Sequence, residues 1–184
     1  MTSAVALLFS GHMIDLPNRR QPRFPADRER AAAAWIQKKV EIGSRGSSAA
    51  GFSSGSRGGD ILFLEACKRE HIETHIVLPF EPELFVQTSV SGVPTGNWER
   101  RFWDVWTATP QQHREVLGLT VSGKAYEACN ARLLDLARQH GRVHLICLWD
   151  GKAGDGPGGT ADLVRRTQRL GDIADAVAPL NLDG

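Results

Sequence analysis

The sequence predicts an α/β fold built on a mainly parallel sheet with helices on both faces. Three observations carry this. Strand-like, loop-like and helix-like segments alternate along the whole chain, with no low-complexity linker between folded halves. Two short apolar runs, "AVALLF" (Ala4 to Phe9) and "RVHLICLW" (Arg142 to Trp149), read as strands buried on both faces. Two glycine-rich loops, "GFSSGSRGG" and "KAGDGPGG", each lead directly into a helix-forming segment. A chain of 184 residues suits one domain of this kind, expected to span residues 1–184.

The elements follow in order. Ala4 to Phe9 is followed by "SGH", so the first strand ends in a polar loop. "MIDLPNRRQPRFP" carries three prolines and several charges and reads as a loop. Pro25 suits a first helical turn, and "ADRERAAAAWIQKKV" supplies strong helix formers, with its alanine and Trp35 side toward the sheet. Glu41 to Ala50 holds either a short strand or none. "DILFLEACKREH" has helical spacing, and "ETHIVLPF" gives a strand around Ile76 to Leu78 stopped by Pro79. "EPELFVQTSV" suggests a short helix broken by "SGVPTG". In "NWERRFWDVWTAT", Asn97 reads as an N-cap, and Trp98, Phe102 and Trp106 fall four apart on one helix face. That stripe is either core or a wall for a ligand or partner. "REVLGLTV" reads as a strand, and "SGKAYEACNARLLDLARQHG" as a helix capped by Ser122 and ended by Gly141. "RVHLICLWDG" is the clearest strand; "ADLVRRTQRLG" is a helix and "DIADAVAPL" a last edge strand.

Bulk properties exclude several function classes. The chain is 41% hydrophobic and 23% charged with a net charge of +1, so no strong field points to nucleic acid or an anionic membrane. The first apolar run is too short to cross a bilayer and lacks a basic segment before it. Cys67, Cys129 and Cys147 are scattered and form no CxxC pair, so each reads as a small apolar core residue in a reducing, cytoplasmic setting. No metal site and no cofactor is suggested.

In parallel sheets, ligands bind outside the carboxyl ends of the strands. The loops expected there are "SGHMID", "SSGSRGGD", "PFEPE" and "WDGKAGDGPGGT". Their physics favours an anion. The first N–H groups of a helix lack internal partners, the helix dipole adds positive potential, and glycine lets the backbone approach a phosphate. Neither loop is a GxxxxGK[ST] nucleotide-triphosphate motif, and no GxGxxG follows the first strand.

The two loops carry a resemblance. "SSGSRGGD", Ser53 to Asp60, resembles the S-G-G-A-x-G-x-D segment of the SLOG superfamily, which includes the DNA-processing protein A fold and the Lonely Guy phosphoribohydrolases. "GDGPGGTAD", Gly154 to Asp162, resembles the P-G-G-x-G-T-x-x-E loop of the Lonely Guy enzymes, and the framing segments extend the likeness over nearly the whole chain. The resemblance implies a Rossmann-like domain that binds a nucleotide or nucleotide-derived small molecule. It places Ser53, Ser54, Gly55, Gly58 and Gly59 in one wall and Gly158, Gly159 and Thr160 at the phosphate, with Ser10, Gly11 and His12 beside them. Lonely Guy enzymes cleave the N-glycosidic bond of nucleoside monophosphates. Here Leu163 stands where their catalytic glutamate is expected, with Asp162 one place earlier.

Cleaving an N-glycosidic bond builds positive charge on the sugar, which a carboxylate stabilises while a second acid protonates the leaving base. By position, Asp150 directly follows a strand and is the first acid candidate, with Glu65 and His12 beside it as catalytic candidates. Asp60 reads as an N-cap or a binding residue, and Arg23, before "FP", as a phosphate clamp. Three readings therefore compete: a nucleotide N-glycosidase, a non-catalytic nucleotide sensor acting through a protein partner, and an interaction module or homo-oligomer built on the Trp98 to Trp106 stripe.

Overall fold

The computed structural model describes residues 3–152, 159–169 and 173–183. Its centre is one six-stranded parallel sheet in the order β4-β3-β2-β1-β5-β6. The strands are β1 (Ala4–Gly11), β2 (Ser48–Ser53), β3 (Glu73–Leu78), β4 (Arg114–Val116), β5 (Arg142–Leu148) and β6 (Ile173–Val177). The helices are α1 (Glu29–Ser44), α2 (Gly59–Arg69), α3 (Pro82–Phe85), α4 (Trp98–Ala108), α5 (Gly123–His140) and α6 (Thr160–Arg169). The α/β class read from the sequence is the class observed.

The apolar runs become strands because both of their faces are covered. Along β1, Val5, Leu7 and Phe9 enter one core cluster with α1, α2 and α4, while Ala6 and Leu8 enter a second with α5 and α6. β5 divides the same way: Ile146 and Leu148 join the first cluster, and Val143, Leu145 and Cys147 the second. Each large side chain so buried stabilises the fold by ~1.5–3 kcal/mol. In the strand order β1 is central and β5 lies between it and the edge strand β6, so each has a neighbour on either side, whereas β4 and β6 form the edges of the sheet.

Trp98, Phe102 and Trp106 of α4 belong to the first cluster, at 3%, 0% and 9% exposure. Phe102 stacks on Trp106 and packs against Phe85. The stripe is core, which removes the main support for a partner surface built on it. All three cysteines are buried and unpaired, and burial pushes their thiols up, that of Cys147 to about 12.

Some boundaries differ from the sequence reading. α1 runs on through "EIGS" to Ser44, and β2 begins only at Ser48. Gly43 permits this, because a Cβ there would lie 2.8 Å from Leu7; the helix rides directly on the sheet. β4 is three residues long, and the chain leaves it at Gly118, whose φ of +64° ends the extended run. "EPELFVQTSV" forms one turn of α3 and a wide π-type turn, Val86–Val90. α5 is capped as read: Ser122 Oγ accepts a hydrogen bond from the Ala125 N–H at 3.2 Å. Among the described residues, no helix is long and apolar enough to cross a membrane.

Candidate functional site

The sheet order fixes where a cleft must open. From β1 the chain winds one way through β2, β3 and β4, then crosses back to place β5 on the other side of β1. Connections on the two sides of β1 diverge, leaving a crevice outside the carboxyl ends of β1 and β5. The His12 N–H donates to the Leu148 carbonyl at 2.8 Å, tying the two strand exits together at its floor.

Two adjoining compartments lie there. The smaller, about 220 Å³, is lined by His12, Asp15, Arg19, Arg23, Arg57 and Trp149, among others. The larger, about 350 Å³, is lined by Ser54, Ser56, Asp60, Phe85, Tyr126 and Asn130, among others. Gly11, Met13, Gly159 and Thr160 line both, so the start of α6 stands at their junction. Ser10 Oγ and Thr160 Oγ1 are hydrogen-bonded at 3.0 Å, which fixes α6 against the end of β1.

Arg57 dominates the smaller compartment. It is 5% exposed, yet it has no ion pair among the described residues. Its Nε donates to the Ile14 carbonyl at 3.0 Å, and an Nη reaches the Ser91 carbonyl at 3.4 Å. Burial eases its pKa down and Asp15 opposes this, but a guanidinium stays charged throughout. Asp15 is itself engaged: Oδ2 accepts the Arg23 and Phe24 N–H groups at 2.9 and 3.0 Å, and Oδ1 lies 3.5 Å from Arg19 Nε. Arg57 therefore lines the cleft as a buried cation with no carboxylate in ion-pair range among the described residues, while Asp15, in the same lining, acts on it from farther away.

Asp60 occupies the larger compartment. It sits on the first turn of α2 but does not cap it, because the residue before the helix is Gly58. Instead its Oδ2 folds back on the loop and accepts four hydrogen bonds, from the Ser54 and Ser56 hydroxyls at 2.8 Å each and the Gly55 and Ser56 N–H groups at 3.2 and 3.1 Å. Burial raises its pKa against these hydrogen bonds. The carboxyl therefore shapes the glycine loop and faces the cleft at the same time.

His12 and Asp150 form a pair at the strand exits, with Nε2 to Oδ1 at 3.2 Å and the Asp150 N–H at 3.3 Å from the same nitrogen. The single nitrogen cannot serve both partners in one protonation state. Without a proton, Nε2 accepts from the N–H; carrying one, in the Nε2–H tautomer or the imidazolium, it donates to the carboxylate. Burial lowers the His12 pKa more than Asp150 raises it, so the neutral form prevails at pH 7. For Asp150, burial works upward, but the Lys152 N–H and the His12 ring outweigh it and hold the carboxyl below its ordinary value.

The other residues singled out by sequence divide clearly. Ser10, Gly11, His12, Arg23, Ser54, Asp60, Gly159 and Thr160 line the cleft. Asp150 stands behind His12 rather than in the lining. Ser53 is fully buried at the end of β2, and its hydroxyl has no hydrogen-bond partner among the described residues. Gly55, Gly58 and Gly59 do not line the cleft. At Gly58, φ is +90° and a Cβ would lie 2.6 Å from the Ile14 nitrogen; at Gly59 it would lie 2.8 Å from the Phe9 ring. These glycines bring the chain against itself. Glu65 is turned away, in a bidentate ion pair with Arg101 at 2.7 Å per contact, because α4 packs on that face of α2. Gly158, with Gly154, Asp155 and Pro157, lies outside the described residues. Leu163 is fully buried, and Asp162 is held by Arg166 at 2.7 Å, so α6 presents no described carboxylate to the cleft.

Sequence reasoning passed over Arg57 and Tyr126. Arg57 is the one cation in an otherwise small-residue loop, and that was a usable signal. Tyr126 is the only tyrosine; its ring packs edge-on against Phe80 and its hydroxyl meets Ser89 Oγ at 3.1 Å.

No protein-family model and no curated protein matches the chain. Among solved structures it is similar to DNA processing protein A from Helicobacter pylori, described for its single-stranded DNA binding mode. Identity there is 12%, over 95% of this chain and 75% of that one, with a TM-score of 0.41. It is also similar to the Moco carrier protein from Chlamydomonas reinhardtii, at 13% identity over 95% and 90% of the two chains and a TM-score of 0.35. Likeness at this level carries no argument about what this chain binds.

Proposed function

We propose that the chain is a single SLOG-like domain whose cleft binds a nucleotide or nucleotide-derived small molecule. The phosphate lies in the smaller compartment against Arg57, with Arg23 and the first turn of α6 completing its surround. The sugar and base extend into the larger compartment, past Asp60 toward Tyr126 and Asn130. The observation that carries this reading is the buried Arg57 guanidinium, charged, without an ion-pair partner among the described residues, and facing the cleft. Nothing in the net charge of +1 calls for a polyanion, so the anion is small.

The chemistry such a cleft offers is N-glycosidic hydrolysis. Asp60 supplies the carboxylate facing the larger compartment, and the His12–Asp150 pair supplies the group that moves a proton. A second reading, a nucleotide sensor without turnover, is favoured by one specific observation. The buried Leu163 and the ion-paired Asp162 leave α6 without the family's glutamate.

Calorimetry with nucleoside monophosphates, the matching nucleosides and ADP-ribose tests binding, and chromatography for free base tests turnover. The proposal expects monophosphates to bind at least about tenfold tighter than nucleosides, one charge-assisted contact's worth. Equal affinity for both, or no binding of any, overturns the phosphate placement. Binding without base release leaves the sensor reading standing and rejects hydrolysis.

A further inference from the structure

A second cluster of chemistry-bearing side chains lies at the opposite end of the sheet from the cleft. Glu73 and His75 are two apart on β3, so they project from the same face of the strand. His113 sits in the single turn, Gln111–His113, that leads into β4, and β4 pairs with β3 beginning at Ile76 and Arg114. Strand pairing therefore brings a residue from a distant segment over two near neighbours.

The donor atoms converge. Glu73 Oε1 lies 3.4 Å from His113 Nδ1 and 3.6 Å from His75 Nε2, and the three residues each offer a ligand atom within 4.8 Å of the others. In a tetrahedral zinc site with bonds of ~2.0–2.1 Å, neighbouring ligand atoms stand ~3.3 Å apart. The two carboxylate edges thus already approach the spacing of a metal-bound set. Glu73 is 55% exposed at its side chain and free to adjust; the histidines are 19% exposed and held in place.

Two further observations point to a ligand. His113 Nδ1 is buried and makes no hydrogen bond among the described residues, although Glu73 Oε1 lies 3.4 Å away. A buried ring nitrogen left without a partner costs free energy unless something occupies it. The rings are also pre-positioned: His75 lies between Phe52 and His113, stacked on both, at 4.6 and 4.1 Å between centroids.

We propose that Glu73, His75 and His113 form a binding site for a divalent first-row transition metal of the zinc class, with one coordination position left to water. Two imidazoles and a carboxylate are a nitrogen–oxygen donor set that suits zinc, cobalt or nickel and not calcium or magnesium. Bound there, the ion fastens the short edge strand β4 to β3. This site is independent of the nucleotide reading, and it is hidden at the level of sequence because its third ligand is remote in the chain.

Equilibrium dialysis of tag-free protein against Zn²⁺ at neutral pH, followed by elemental analysis, tests the site, with Co²⁺ as a spectroscopic probe. The expected result is one ion per chain at micromolar free Zn²⁺ and the intense visible absorption of four-coordinate Co²⁺. Glu73→Gln and His113→Asn should each weaken Zn²⁺ binding by at least about tenfold, while His144→Gln leaves it unchanged. Glu73→Gln alters only an exposed side chain, so it reports even if a histidine variant fails to fold. Failure to bind Zn²⁺ at millimolar concentration, a weak six-coordinate Co²⁺ spectrum, or unchanged affinity in Glu73→Gln overturns the proposal.

Discussion

Arg57→Met separates ligand binding from stability more sharply than any other change in the cleft. In the free protein the arginine donates one good hydrogen bond, to the Ile14 carbonyl at 3.0 Å, and a weaker one to Ser91 at 3.4 Å. A hydrogen bond from a charged donor is worth about 1.5–3 kcal/mol. Against it stands the cost of holding a guanidinium at 5% exposure with no carboxylate in ion-pair range among the described residues, several kcal/mol by the usual measure of ion burial. Methionine fills similar volume and carries no charge, so the two terms nearly cancel. Stability should change by less than about 1 kcal/mol, or rise. Binding should not escape in the same way. A phosphate in the smaller compartment loses a charge-assisted contact of about 1.5–3 kcal/mol, a roughly 10- to 150-fold loss in affinity. Arg100→Met, on the exposed face of α4 at 83% side-chain exposure, is the control and should change neither quantity. Calorimetry with a nucleoside monophosphate and urea denaturation read the two effects. If Arg57→Met binds within about twofold of the parent protein while remaining folded, the phosphate does not lie against Arg57. If the variant instead loses more than about 3 kcal/mol of stability, the arginine is there to bridge the loops at Ile14 and Ser91.

Three further outcomes follow from the same geometry. Glu65→Gln should leave ligand affinity unchanged and cost about 1–2 kcal/mol in denaturation, because Arg101 keeps Glu29 at 2.7 Å and its place over the Trp98 ring; a loss of binding would return Glu65 to the site. Gly59→Ala should destabilise by about 1–3 kcal/mol, since the new methyl meets the Phe9 ring at 2.8 Å and that ring is locked against Phe63; an unchanged urea midpoint would mean the helix can retreat from β1. His12 carries a pH signature. Its folded pKa is depressed, so below the ordinary histidine value near 6.5 the unfolded chain binds the proton first, and stability falls as pH drops through that window. Asp150 faces the ring and opposes this, Arg23 reinforces it, and Asp15 opposes it weakly. His12→Gln should flatten the acid side of the stability profile between pH 6.5 and the carboxylate range; an identical profile in both proteins would refute the assignment.

The fold was legible where the physics is local and repetitive. β1 and β5 each lie between two other strands and bury both faces, so their apolar runs announce them. α5 carries its own cap in Ser122. The helix–strand boundary between α1 and β2 was not legible, because it depends on Gly43 meeting Leu7 across the layer, a contact that no window of neighbouring residues contains. The candidate site divides on the same line. The loops at the strand ends could be named from alternation alone, and eight of the residues named for them line the cleft. Glu65 could not be rejected from sequence, since the residue that turns it away, Arg101, comes 36 positions later on another helix. His75 and His113 are hidden for the same reason.

The glycine loop lies beside the cleft for a reason that composition alone does not show. Gly58 and Gly59 read as a cradle for phosphate. In the fold they let the chain press against Ile14 and Phe9. That close packing is what draws the loop down beside the β1 exit, where the Ile14 N–H meets the Arg57 carbonyl at 3.3 Å and the Ile14 carbonyl receives the Arg57 side chain. Asp60 then gathers the Ser54 to Ser56 backbone from the helix side. The glycines hold the loop, the aspartate shapes it, and the arginine between them is left facing the cleft. Any anion bound there would owe its site to the self-packing of the glycines, so Gly59→Ala should weaken phosphate binding and stability together, whereas Arg57→Met should weaken binding alone.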